Sequence, residues 1–277
     1  MAIPIINTWQ NYYPEAHEGM GSSYERIVLN LLLSSLHTKY GFANVLESPC
    51  FGFTGITGIN LVQLAKAGCK VHLEDSDPLR IELIQNSWQD LGLPVSIKLN
   101  RDFTQLDYKD HSFDFAFNFS AMWFVKDLSS FISELCRVTR GPILICVPNQ
   151  EGLGFKGQLQ GYSPQEYPQL RPSHIDPHSI IYLMQKQGRT LQSRNYIDCP
   201  PWPDIGMNKE DYIKKILPAV AFTPRTRTKP AQSIMPYYRG EDPTFANRML
   251  RLYPFEKLLP HGLKRFWAHH RYMLFVP

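Results

Sequence analysis

Four carboxylates stand where a nucleotide-like ligand could use them. Glu47 closes an apolar run that begins at Asn44, Glu74 and Asp75 close a second from Val71, and Asp102 follows a third from Val95 to Leu99. A carboxylate accepts hydrogen bonds from a diol or an exocyclic amine, and charge-assisted bonds of that kind contribute about 1.5 to 3 kcal/mol. Between the first two runs lies Ser48-Pro49-Cys50-Phe51-Gly52-Phe53-Thr54-Gly55-Ile56-Thr57-Gly58, a loop with glycines three apart that leads into a helix. Glycine lets the backbone approach a ligand and adopt positive φ, and the first N–H groups of the helix point at whatever the loop holds.

The elements that must position these groups alternate short β-rich runs with helical ones. Val45 to Glu47, Val71 to Glu74, Val95 to Leu99, Phe113 to Phe119 and Ile143 to Val147 read as parallel strands of βαβ units. Asp77-Pro78 and Asp176-Pro177 each supply an N-cap followed by proline at the first helical position, Asp127 caps Leu128 to Val138, and Gly68 and Gly188 close helices. Ahead of the sheet, Ile27, Val28, Leu31, Leu32 and Leu36 fall at helical spacing between Tyr24 and His37, which predicts one face packed on the sheet. A strand is expected over Leu191 to Ile197 and a last one over Arg271 to Val276. The expected organisation is an N-terminal helical segment (1–40), a cofactor domain (41–199), an insertion or cap (200–265) and a final strand (266–277). The insertion is rich in proline, aromatics (Trp202, Tyr212, Phe222, Tyr237, Tyr238) and basic residues such as Lys209, Lys214, Arg225 and Arg239.

Composition narrows the function classes. The 277 residues are 43% hydrophobic, enough for a large buried core, and 19% charged with a net charge of +4, which permits a nucleic-acid partner without requiring one. Five cysteines form no CxxC pair, as expected of reduced thiols in a reducing compartment. The first residues lack a basic start and a long apolar region, and no run approaches the roughly 18 apolar residues of a membrane span, so a cytoplasmic protein is expected.

The order of these pieces resembles a class I S-adenosylmethionine-dependent methyltransferase over about Tyr24 to Ile197 plus the final strand. Arg101-Asp102-Phe103 followed by Ser112-Phe113-Asp114 carries most of the resemblance, with Phe117 to Trp123 similar to the family's fourth motif and Arg137 to Pro148 similar to its next helix, turn and strand. The first motif departs from the family, because Glu47 is followed by Pro49 and by glycines at 52, 55 and 58 in a loop several residues longer. The resemblance implies an α/β doubly wound, mostly parallel seven-stranded sheet with a C-terminal insertion before its last strand. It also implies S-adenosyl-L-methionine held by Glu47, Gly52, Thr54, Gly55, Glu74, Asp75, Asp102, Phe103 and Asn118. Glu47 would organise the loop and the cofactor's amino group, Asp75 or Glu74 would accept the ribose hydroxyls, and Asp102 would bond the adenine amine with Phe103 beside the ring. Strand alternation sends Glu74 and Asp75 to opposite faces, and spacing from Gly68 favours Asp75.

The expected acceptor is a small molecule, with RNA methyl transfer, an NAD(P)-dependent short-chain oxidoreductase and a noncatalytic scaffold that binds S-adenosylmethionine as alternatives. The oxidoreductase reading rests on Tyr182 and Lys186 at i, i+4 spacing and on Thr54-Gly55-Ile56-Thr57-Gly58, whose glycine spacing is one residue short. Trp123, Tyr12 and Tyr13 are candidates to face a cationic cofactor, with packing as the alternative role. His269-His270 alternates across a strand and His174 and His178 flank a helix start, so no metal is expected. No catalytic base is singled out.

Overall fold

The computed structural model describes residues 5–6, 9–13, 18–159, 163–200 and 233–277. Seven strands form one sheet: β1 (Asn44–Glu47), β2 (Lys70–Asp75), β3 (Ser96–Leu99), β4 (Phe115–Phe119), β5 (Ile143–Pro148), β6 (Thr190–Ile197) and β7 (His270–Val276). Their order is β3-β2-β1-β4-β5-β7-β6, with β7 antiparallel to both neighbours and the other pairings parallel. The central strands β4 and β5 are buried along their whole length, as strands covered on both faces must be.

Alternation assigns the two cores. Val45, Val71, Leu73, Phe115, Phe117, Phe119 and Leu144 face one layer of helices, comprising α1 (Gly19–Tyr40), α2 (Val62–Lys66) and α3 (Pro78–Asp90). Leu46, Ala116, Ile143, Ile145 and Val147 face the other, where α4 (Leu128–Val138) and, after the short α5 (Leu153–Leu159), α6 (Pro177–Lys186) pack. Helix starts follow the expected chemistry: Asp77 accepts from Leu79 N–H, Asp127 from Ser130 N–H, and Asp176 from His178 and Ser179 N–H.

Two sequence expectations shift. β4 starts at Phe115 because the Asp114 carboxylate accepts the N–H groups of Ala43 and Asn44 at 3.0 and 2.9 Å, replacing ladder bonds with a side chain. Phe113 keeps only a lone parallel bridge to Thr139. On α1 the apolar stripe misassigns Leu31, which is exposed, whereas Leu29 and Leu33 are buried with Ile27, Val28 and Leu36. The cause lies in the C-terminal part of the chain. Residues 234–249 cover α1 from outside, with Asn30 Nδ2 donating to Tyr238 Oη at 3.0 Å.

That covering belongs to the expected insertion, whose described half is helical: α7 (Met235–Arg239), α8 (Phe245–Leu250), α9 (Tyr253–Leu258) and α10 (His261–Trp267). Its first half, residues 201–232 with Trp202, Lys209, Tyr212, Lys214, Phe222 and Arg225, lies outside the described residues. No helix among the described residues is long and apolar enough to cross a membrane. All five cysteines are free and buried.

The scaffold makes graded demands on α4. Replacing Phe131, 0% exposed against the sheet, by alanine should lower the unfolding free energy by about 3 to 5 kcal/mol. Removing the cap with Asp127→Ala should cost about 1 kcal/mol, both read from urea denaturation midpoints.

Candidate active site

The carboxyl ends of the parallel strands carry a continuous buried polar layer. Glu47, the last residue of β1, is 1% exposed; its Oε1 accepts from Asn60 Nδ2 at 2.6 Å. Asn60 Oδ1 accepts in turn from Arg26 of α1 at 2.6 Å. The Arg26 guanidinium also donates to Glu18 Oε1 at 2.6 Å and to the Ile56 carbonyl at 2.8 Å, and stacks 3.8 Å from the Phe53 ring centre. One buried cation therefore fixes the loop after β1 at three points. Burial pushes the Glu47 carboxyl up to about 8, against the opposing pull of the Asn60 amide and Arg26.

The glycines of this loop make room for the chain itself. A Cβ on Gly52 would stand 2.1 Å from the Phe119 carbonyl oxygen, so only glycine lets the loop rest on the end of β4. Gly55 has φ +142°, and a Cβ there would meet Glu18 Oε1 at 2.5 Å. Thr54, half-buried, lies between them.

Alternation parts Glu74 from Asp75, as their adjacency requires. Asp75 faces α3, where Arg80 Nη2 donates to Oδ1 at 2.6 Å and Arg80 Nε bridges both oxygens at 3.0 and 3.1 Å. Asp77 N–H adds a third donor to Oδ1 at 2.9 Å, and the Cys50 thiol adds a second donor to Oδ2 at 3.6 Å. The Arg80 guanidinium lies 3.8 Å over the Phe51 ring and 5.3 Å from that of Trp9. Around it opens a cleft of about 370 Å³ lined by Pro49, Phe51, Ser76, Asp77, Phe103 and Phe124 among others. Phe103, buried and at φ +53°, is the member of the expected set that forms its wall.

Glu74 faces the α4 side. Its Oε2 accepts from Ser48 Oγ at 2.7 Å and lies 3.4 Å from Asn100 Nδ2, and burial raises its pKa. Glu74 is 1% exposed, because Ser48 and Asn100 close over it. Asp102 is exposed and accepts from Thr104 Oγ1 at 2.7 Å; with Glu74, Lys98 and Arg137 it lines a separate open groove of about 730 Å³. Asn118, 0% exposed, donates to the Ser48 carbonyl at 2.8 Å and accepts from Ala121 N–H at 3.3 Å, joining the ends of β1 and β4.

Glu47, Gly52, Thr54, Gly55, Glu74, Asp75 and Asn118 thus converge on one edge, while Asp102 stands outside the cleft that Phe103 lines. Sequence reasoning missed Arg26, Asn60, Phe51 and Arg80, since an arginine inside a helical pattern reads as a solvated face until its buried partners are known. The aromatic candidates have other duties: Trp123 is fully buried and donates to the Ser120 carbonyl at 2.8 Å, and Tyr13 donates to the Thr57 carbonyl at 3.3 Å. Tyr182 is 56% exposed with Lys186 4.6 Å over its ring, a surface pair that lines neither cavity.

Buried atoms without partners test what ligand suits this edge. Glu47 Oε2, Glu74 Oε1 and Ser120 Oγ are buried and make no hydrogen bond among the described residues. Two carboxylate oxygens and a hydroxyl in want of donors fit a ligand with an ammonium group and hydroxyls, while the aromatic-walled cleft, which none of the three lines, fits a flat base.

Residues 52–144 match the family model described as a methyltransferase domain. No curated protein sequence matches the chain. Among solved structures, the fold is similar to a candidate methyltransferase in complex with the Trm112 methyltransferase activator of Haloferax volcanii (TM-score 0.55, 13% identity, 99% of this chain and 95% of that chain covered). It is also similar to a candidate sarcosine dimethylglycine methyltransferase of Galdieria sulphuraria (0.53, 16%, 89% and 84%) and to the [4+2]-cyclase SpnF (0.51, 13%, 89% and 80%). The strand order β3-β2-β1-β4-β5-β7-β6 is thus shared with solved methyltransferase folds, and residues 52–144 within it match the methyltransferase-domain model.

Proposed function

We propose that this methyltransferase acts on a small molecule enclosed at the carboxyl edge of the sheet. Enclosure is the observation that supports it: Glu47, Asn118, Ser120 and Asn149, at the ends of β1, β4 and β5, are each 1% exposed or less. A site sealed to that degree suits a molecule that enters whole. A net charge of +4 on 277 residues makes no demand for a polyanion.

When bound, S-adenosylmethionine supplies an electrophilic methyl carbon on a sulfonium. The chain's own task is to hold and orient, and proximity of that kind contributes about 7 to 11 kcal/mol. In this reading Glu47 takes the ammonium group, and Asp75 accepts a ribose hydroxyl while Arg80 fixes its orientation. Phe51 and Phe103 flank the base. Gly52, Thr54 and Gly55 shape the loop, Asn118 and Glu74 hold Ser48 beneath it, and Asp102 contributes from the rim. The exposed Tyr182–Lys186 pair gives hydride transfer no footing in the cleft.

Titration calorimetry separates these roles. S-adenosylmethionine and S-adenosylhomocysteine should bind the wild type while NAD does not, Glu47→Gln should weaken binding of both tenfold or more, and Asp102→Ala should change it less. Incubation with labelled methyl donor and ultrafiltered cell extract should place the label in the small-molecule fraction. Label recovered in RNA would reject the proposed acceptor class, and binding without turnover would favour a scaffold.

Glu47 also ties binding to protons. Its pKa of about 8 in the folded state lies above the ordinary 4.5, so the native state holds more protons than the unfolded one between those values. Stability should therefore fall as pH rises from about 4.5 to 8, by up to about 1.4 kcal/mol per pH unit from this group, and Glu47→Gln should remove that slope. A ligand ammonium beside Glu47 requires the ionised form, so binding at pH 7 should release a proton. Calorimetric heats should vary with the ionisation enthalpy of the buffer in the wild type and lose that component in the variant.

A further inference from the structure

Glu25 of α1, Asp198 just past β6 and His270 at the start of β7 form a second constellation at the β5–β6 end of the same sheet edge, and none of the three lines the cleft. We propose that these three residues bind a divalent transition-metal cation of the Zn²⁺ class that clasps α1 to the β6–β7 edge. The three side chains are 6%, 2% and 4% exposed, and one ligand atom from each lies within 4.8 Å of the others. A tetrahedral ion with bonds of about 2.1 Å holds its ligands roughly 3.4 Å apart, a change within reach of small side-chain rotations.

An unmet valence distinguishes the cluster from ordinary ion pairing. Glu25 Oε1 and His270 Nδ1 pair at 2.5 Å, while Asp198 Oδ1 beside them is buried with no hydrogen-bond partner among the described residues. The other oxygen of Asp198, Oδ2, lies 2.6 Å from His269 Nδ1, which orients the carboxylate as a neighbouring group orients a metal ligand. Two carboxylates and a neutral imidazole sum with a divalent cation to zero, removing the cost of isolated charge in the interior. Oxygen and imidazole donors suit first-row divalent ions.

The role is structural. Glu256 Oε2 accepts from Tyr24 Oη at 2.8 Å and from Cys199 N–H at 2.9 Å, so residues adjoining Glu25 and Asp198 are already joined. Sequence spacing favours no metal here because His269 and His270 alternate in direction and their carboxylate partners are distant in the chain. The β-ladder resolves this. His270 is in register with Ile197, which brings Asp198 to the same edge.

The full chain, stripped with chelator and titrated with Co²⁺, should take up one equivalent and develop d–d absorption, which Zn²⁺ then displaces. Asp198→Asn and His270→Asn should lose the uptake, while His178→Asn, an exposed position on α6, should keep it. Failure of the stripped wild type to take up either ion, or uptake that survives both variants, overturns the site. If the variants do not fold, X-ray absorption of the Zn²⁺-loaded wild type decides: a nitrogen and oxygen shell with imidazole scattering is expected, and a sulfur shell rejects the assignment. Either outcome leaves the methyl-transfer reading untouched.

Discussion

The site is organised by a guanidinium that has no access to water. Arg26 is 0% exposed, and every bond it makes serves the loop after β1: Glu18 balances its charge, Ile56 lends a carbonyl, and Asn60 passes its orientation to Glu47. Removing one member of a buried pair leaves an uncompensated charge, a loss of about 3 to 5 kcal/mol. Charge neutralisation inside the protein therefore holds the loop in shape. Glu18 reinforces this, since the oxygen that meets Arg26 also accepts the Ile56 N–H at 3.0 Å.

That origin explains why the first motif reads unusually. In the common arrangement glycines bare the backbone to the ligand, whereas here Gly52 lies against Phe119 and Gly55 against Glu18. Phe51 turns instead toward Arg80, and the ring, the guanidinium and Asp75 form one stack at the cleft. Arg80 consumes much of the hydrogen-bonding capacity of Asp75 and in return fixes a carboxylate that would otherwise be expensive to bury.

Periodicity carried the fold. Five parallel strands, three N-caps and the closing strand were legible because apolar alternation and Asp-Pro or Asp-Leu starts are local signals. The opposite facing of Glu74 and Asp75 was legible for the same reason. What stayed hidden depends on contacts distant in sequence. The buried stripe of α1 shifts from Leu31 to Leu29 and Leu33 only because residues 234–249 cover it, and Asn30 meets Tyr238 more than 200 positions away. At Asp102 the place after β3 is as expected, and the local turn decides the rest: Asn100 Oδ1 accepts the N–H groups of Asp102 and Phe103, with Phe103 lining the cleft and Asp102 the neighbouring groove.

Helix α1 joins the two halves of the molecule through neighbouring residues. Arg26 reaches the loop after β1, Glu25 reaches the start of β7, and Tyr24 reaches Glu256 of α9. Consecutive residues on a helix point about 100° apart, so three in a row can address three neighbours only where the helix is surrounded. Burial of Ser22 through Asn30 without interruption meets that condition. The consequence is mechanical as well as structural. A displacement of α1 that frees Glu25 from His270 also moves Arg26 against Asn60 and Glu47, so the β6–β7 edge and the loop after β1 share one lever. The covering helices α7 and α8 earn their place on the same ground, because without them the outer side of that lever would face water and the three contacts could not be made at once.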